Sequence, residues 1–422
     1  MNPDVLMIVS AGVLLFALFS KLGSTGSVTG PMVFTAFGLA VGAAGFGLID
    51  VALDDIGLEF LAGSTLALAL FTDAARIDVR RLDAEHDLPL RLLCIGMPLT
   101  MILGALVAWA LFPGLGFWPA LVLGVILAPT DAALGQAVVT NQDVPPRIRQ
   151  ALNVESGLND GLAFPVLLIV LSVAVEAQAG RGAAEWGLFT LSQVGLGPLA
   201  GIAVGLVGAR AVEYCAGRGW MDHAFLQISV LSLAAIAYTG AEAIGGNGFI
   251  AAFAAGMVVG TRSRRLLEAV EDFGEAEGQL LNLIVFLLFG AVLLPTVLAD
   301  IGWRHLVYGI LSLTIIRMAP VALSLAGARL APSTVAFVGW FGPRGLASIL
   351  YLLLILDSES LAGMSDIAAA TLVTVALSVL LHGATASPLA RAYARRLSAR
   401  APAAPEHRPA LPFRTRFRKP DA

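Results

Sequence analysis

The spacing of its polar residues constrains this chain more than anything else about it. Apolar runs of about 20 residues, enough to cross a ~30 Å hydrocarbon core as a helix, follow one another with only short polar loops between them. Thirteen such runs lie near 4–21, 28–47, 56–74, 89–112, 117–139, 149–177, 188–211, 222–243, 247–262, 275–298, 303–328, 332–356 and 366–388. Inside lipid each backbone N–H and C=O must be satisfied within the protein, so these runs are expected to be helices. The expected fold is therefore an all-α polytopic membrane protein. Composition agrees: 13% of residues are charged and 58% are hydrophobic, where a soluble domain carries about 25% charge. A soluble enzyme is excluded, and no nucleic-acid partner is expected.

The basic residues orient the spans. With the N-terminus outside, the inward ends and loops hold Lys21, Arg76, Arg80, Arg81, Arg91, Arg147, Arg149, Arg210, Arg218, Arg262, Arg264, Arg265 and Arg329, and the outward ones hold Arg181 and Arg304. The positive-inside rule thus favours an odd number of spans with the C-terminus in the cytoplasm. The opening MNPDVLMIVSAGVLLFALFSK lacks a basic leader and an A-x-A-like site, so it reads as a retained span. Cys94 and Cys215 make no disulfide framework. Residues 391–422 carry nine Lys/Arg and several Pro, and are expected to be a disordered basic cytoplasmic tail. Ladders of small residues at Gly38/Gly42, Gly197/Gly201/Gly205 and Gly256/Gly260 let helices approach closely, within the subunit in preference to a dimer interface.

Against this apolar background, several segments stand out, because an ionisable group in a span costs roughly 2.5–3.5 kcal/mol at its centre. LAPTDAALG, residues 127–135, interrupts the fifth span. Pro129 breaks the helix there, and Thr130 and Asp131 follow at once. NVESGLNDGLAF, residues 153–164, opens the sixth. Glu155 and Asn159 share one helical face, and Ser156 and Asp160 the next. Asp160 lies eleven residues beyond Arg149, about 16 Å deep at 1.5 Å per residue. GWFGPRGLAS, residues 339–348, interrupts the twelfth, with Arg344 at a similar depth. Its guanidinium keeps its proton in proteins, so it needs an acidic partner, for which Glu155 is nearest in depth. Arg317 in the eleventh span is expected to be packing glue, and Glu242 interfacial. Any one of these charges would suit a packing ion pair. Together, at one depth on two interrupted spans in corresponding places, they suggest two inverted six-helix repeats with discontinuous crossing helices, the arrangement that marks a transporter's binding site.

At PTDAALG, VESGLNDG, GGNGFIAAFAAGMVVG and GPRGLAS the chain resembles the cation:proton antiporter 1 family, the prokaryotic sodium/proton exchangers, along nearly all of residues 1–390. The resemblance implies a transport core at about 89–177 and 303–388, a scaffold that forms a homodimer at about 4–74 and 222–298, and a linker helix at about 188–211. It implies an ion site of Thr130, Asp131, Ser156 and Asp160, a buried pair of Glu155 and Arg344 beside it, and Asn159 packing the crossing. Two positions depart from the family pattern: Ala132 stands where Pro is common, and Gly157 where a large aliphatic residue is common. Either departure bears on ion preference or helix mobility.

The chemistry can also be argued from the residues. A sodium-sized cation takes carboxylate, hydroxyl and carbonyl oxygens, and Thr130, Ser156, Asp160 and an interrupted backbone supply them. Proton and cation compete for one carboxylate, so antiport follows if the loaded core reorients and the empty, charged one does not. Asn159 does not titrate, so one proton per cation is expected. The expected activity is electroneutral exchange of Na⁺, and also Li⁺, for H⁺ in the inner membrane, with no enzyme chemistry and no resident cofactor. Potassium as cargo is the nearest alternative. A cation channel, an organic-anion symporter and an intramembrane aspartyl protease are more distant, the last because neither aspartate sits in a G-x-G-D or Y-D setting.

Overall fold

The computed structural model describes residues 3–24, 28–49, 56–76, 87–131, 133–179, 183–356, 361–398 and 405–407. Every regular element among them is a helix. In chain order the spans are α1 (Pro3–Ser24), α2 (Gly30–Val41), α3 (Ile56–Ala75), α4 (Asp87–Leu111), α5a (Phe117–Ile126) with α5b (Gln136–Val139), α6 (Pro146–Ala179), α7 (Ala183–Gly217), α8 (His223–Ala243), α9 (Gly248–Arg262), α10 (Arg264–Leu288, running on to Val297), α11 (Trp303–Ser324), α12a (Pro332–Trp340) with α12b (Leu346–Leu356), and α13 (Met364–Ser398). Each of the thirteen apolar runs is thus one helix or an interrupted pair. Seven of the described helices are long and apolar enough to cross a membrane unaided, and the shorter apolar ones include one half of each interrupted span, α5a and α12b. The chain is a multi-pass membrane protein.

The glycine ladders show how the helices pack. A Cβ on Gly201 would overlap the Ala251 carbonyl and one on Gly205 would crowd that of Ala255, so α7 lies backbone-to-backbone on α9. On another face of α9, Gly256 and Gly260 meet the carbonyls of Phe71 and Ala75 in α3. Gly38 and Gly42 of α2 meet Leu287 and Ala291 of α10 in the same way. All three ladders serve packing inside the subunit, where close approach replaces the hydrophobic drive that lipid removes. Glu242 stands at the C-terminal end of α8, where its Oε1 accepts from Gly248 N (2.7 Å) while Asn247 caps α9.

The expected disorder of the tail is corrected at its described residues, 391–398 and 405–407; the rest of 391–422 lies outside the described residues. Residues 391–398 continue α13 instead of being disordered, and Pro405–His407 form a turn folded back onto the protein. Glu406 is fully buried, and its Oε1 accepts from Ala331 N (2.7 Å) and Thr334 Oγ1 (3.0 Å) at the start of α12a. Arg147 of α6 donates to the Pro405 carbonyl (2.7 Å). The helix start offers N–H groups with no partner in the helix, and a carboxylate is a strong acceptor for them. Composition alone does not reveal such a docking.

Candidate functional site: two interrupted helices that cross

The break in α5 falls where Pro129 removes a donor and the chain leaves the helix after Ile126. The break in α12 is Phe341–Gly345, between Trp340 and Leu346. The two non-helical segments lie against each other and exchange backbone groups: Asp131 N donates to the Pro343 carbonyl (2.8 Å). The side chains then complete a reciprocal arrangement. Arg344 Nη1 donates to the carbonyls of Ala128 (2.7 Å) and Pro129 (3.1 Å), and Ser348 Oγ to that of Ile126 (2.8 Å). The Ile126 carbonyl ends α5a and those of Ala128 and Pro129 follow directly, all at the negative pole of its dipole. In return, Asp131 Oδ2 accepts from Leu346 N (2.8 Å), the first residue of α12b, and Oδ1 accepts from Ala133 N (2.7 Å). Each broken helix lends the other the charge its exposed end requires.

Glycines make this approach feasible. A Cβ on Gly345 would overlap the Asp131 carboxylate, and one on Gly342 would overlap the Arg317 guanidinium. This is the physical content of the GPRG sequence.

The buried pair differs from expectation. Glu155 is bound by Arg317, not Arg344, through two contacts, Nη1–Oε1 at 2.6 Å and Nη2–Oε2 at 2.8 Å. Both residues are fully buried. Arg344, also fully buried, has its charge answered by helix carbonyls instead. Depth along the chain pairs Arg344 with Glu155, but it does not say which helix face turns toward α6. The signal that was underread is Arg317 itself, a guanidinium within an apolar run that is interrupted at Thr314 and holds Pro320.

The predicted ion-site residues converge in part. Thr130 Oγ1 and Ser156 Oγ are 3.1 Å apart. Asn159 Nδ2 donates to Thr130 Oγ1 (2.6 Å) and to the Thr130 carbonyl (3.3 Å), tying α6 to the break in α5. Thr130, Asp131 and Asn159 are buried, whereas Ser156 and Asp160 are partly accessible. Tyr351 of α12b, not singled out from sequence, donates its hydroxyl to the Asp160 carbonyl (2.5 Å). Ala132 lies outside the described residues. Around Gly157 a Cβ would meet nothing within 4 Å, so the departure there leaves open space.

Two interrupted helices crossing in a multi-span bundle, with their ends neutralised in trans and a polar cluster at the crossing, define a secondary transporter. The family described as sodium/hydrogen exchanger, transmembrane, matches residues 7–392, and the chain belongs to it. It is 28% identical over 343 residues to Na(+)/H(+) antiporter 2 of Zygosaccharomyces rouxii, covering 75% of this chain and 41% of the relative. It is 26% identical over 369 residues to the K(+)/H(+) antiporter NhaP of Alkalimonas amylolytica, covering 85% of this chain and 62% of the relative. The chain therefore spans between about two fifths and three fifths of these relatives' length. Its fold is similar to that of the sodium proton antiporter MjNhaP1 from Methanocaldococcus jannaschii at pH 8, with a TM-score of 0.74 at 18% identity, covering 92% of this chain and 97% of that one.

Proposed function

We propose that this chain exchanges a monovalent cation, sodium first, for a proton across the inner membrane, with its N-terminus outside and its C-terminus in the cytoplasm. We assign the cation to Thr130, Ser156 and Asp160, with Asp131 at the border of the site. The observation that carries this reading is how the acids divide. Glu155 is held bidentately by Arg317, and both oxygens of Asp131 accept backbone N–H groups. Asp160, partly accessible and one helical turn beyond Ser156, is the acid placed to trade a proton for an ion. Asp131 then acts on the cation through its charge more than by direct ligation.

In the mechanism, the hydroxyls of Thr130 and Ser156 and the Asp160 carboxylate replace water around a hard cation. A proton on Asp160 removes the charge that holds the cation, so the two cargoes exclude each other. Neutralised either way, the core can pass an apolar barrier that a bare carboxylate crosses only at high cost. The core is the crossing with α4–α6 and α11–α13. The remaining spans form the scaffold, through which we expect a homodimer.

Asp160→Asn is expected to abolish cation-driven proton movement in inverted vesicles while the protein still inserts and folds. Retained exchange would remove Asp160 from the role. A second reading, potassium as cargo, is favoured by the likeness to a relative named as a K(+)/H(+) antiporter. Proton flux compared with Na⁺, Li⁺ and K⁺ across pH separates the two.

A further inference from the structure

The crossing is held from a third direction that neither its charges nor its glycines explain. On α13, Ser378, His382 and Thr385 stand at i, i+4 and i+7, one stripe on one helical face. All three bond to the edges of the break in α12. Arg344 N donates to Ser378 Oγ (2.7 Å). His382 Nε2 lies 2.8 Å from the Trp340 carbonyl, the last of α12a. Trp340 Nε1 donates to Thr385 Oγ1 (3.0 Å), and its ring packs on the imidazole with centroids 5.0 Å apart. Ser378 and His382 are fully buried.

The acceptor beside Nε2 fixes a proton on that nitrogen. The Trp340 carbonyl offers no proton, so Nε2 carries one and donates it. Its other lone pair is taken by Gly342 N (2.8 Å). On the opposite side of the ring, Nδ1 lies 3.1 Å from both the hydroxyl and the carbonyl oxygen of Ser378. With Nδ1 bare, the Ser378 hydroxyl donates to it while accepting from Arg344 N. One continuous chain of hydrogen bonds then runs from the Arg344 amide within the break to the Trp340 carbonyl that precedes it. The break carries the Pro343 carbonyl, the Arg344 guanidinium and the Leu346 amide, which together grip Ala128, Pro129 and Asp131. Thr130 lies within that gripped segment.

We propose that His382, with Ser378 and Thr385, is a positioning residue for ion exchange: it spans the interruption in α12 and, through the crossing, sets where Thr130 presents its oxygen to the cation. This inference rests on the exchanger reading. It assigns His382 no contact with the cargo.

The test compares two substitutions of similar volume in proteoliposomes. His382→Gln keeps an amide N–H that can reach the Trp340 carbonyl, and His382→Met does not. His382→Met is expected to raise the apparent cation KM roughly tenfold, the order that follows from a buried carbonyl losing a donor. His382→Gln is expected to stay within about twofold of wild type. A merely structural role would lower the amount of active protein, and so the maximal rate, with KM unchanged. That result for His382→Met overturns the proposal, as does a His382→Gln protein equally impaired in KM. If His382→Met does not fold, Ser378→Ala carries the test: a raised KM supports the proposal and a wild-type KM overturns it. Wild-type protein that moves no cation against protons would refute the exchanger reading itself, an outcome distinct from either.

Discussion

At the scale of single residues, the crossing depends on which atoms each side chain leaves room for. Glu155 and Arg317 form a fully desolvated pair, and removing one partner from such a pair costs about 3–5 kcal/mol because the other charge is left alone. Arg317→Met is therefore expected to destabilise strongly. Adding Glu155→Gln should recover most of the loss, since the double variant has no stranded carboxylate. Thermal unfolding in detergent of the two singles and the double measures the coupling, and additive effects would deny that these residues are partners. The glycines make a second contrast. Gly345→Ala pushes a methyl into the Asp131 carboxylate and should abolish the fold or the activity. Gly157→Ala meets open space and should stabilise α6 by about 0.5–1 kcal/mol, the helix preference for Ala over Gly. A Gly157→Ala protein that unfolds earlier than wild type would contradict this.

At the scale of elements, the interruptions are legible in sequence and their partners are not. Pro129 and the Gly342–Pro343–Arg344–Gly345 run mark broken helices by local rules, and the structure interrupts both spans there. What Arg344 and Asp131 do at those breaks depends on the other helix. Each neutralises a helix end that belongs to the opposite span, and no local pattern encodes that exchange. The described part of the tail departs from the expected disorder for a related reason. Its composition argues for disorder, yet one carboxylate, Glu406, finds the start of α12a and two donors. Glu406→Ala leaves Ala331 N short of an acceptor, while Thr334 Oγ1 keeps the Tyr393 hydroxyl, so a loss of about 1–3 kcal/mol is expected. Differential scanning fluorimetry reads this as a lowered Tm. An unchanged Tm would mean the docked turn contributes nothing to stability.

For the whole molecule, the electrical consequence of exchange follows from counting titratable groups at the site. Asn159 donates to Thr130 and carries no proton to release, so one cation is expected to move against one proton. In proteoliposomes with opposed cation and proton gradients, the reversal point should then be insensitive to an imposed potassium–valinomycin potential. A reversal that shifts with potential would require a second charge in the cycle. The bundle around the site suits such a cycle. The glycine ladders lock α9 between α3 and α7 by backbone contact, while polar side chains join the crossing to α6 and α13, and α6 in turn to α11.

The sequence by itself determined the class of fold, the number and order of the spans, the two interruptions and the position of each buried charge along its own helix. These follow from run length, from Pro and Gly, and from rise per residue, all properties of one helix at a time. Only the tertiary structure decided that Arg317, not Arg344, holds Glu155, and that Arg344 and Asp131 serve each other's helices. It also decided that His382 bridges the break in α12. Depth is a single coordinate. The rotation of each helix about its axis is set by which faces its neighbours leave open, and that is a property of the packed bundle.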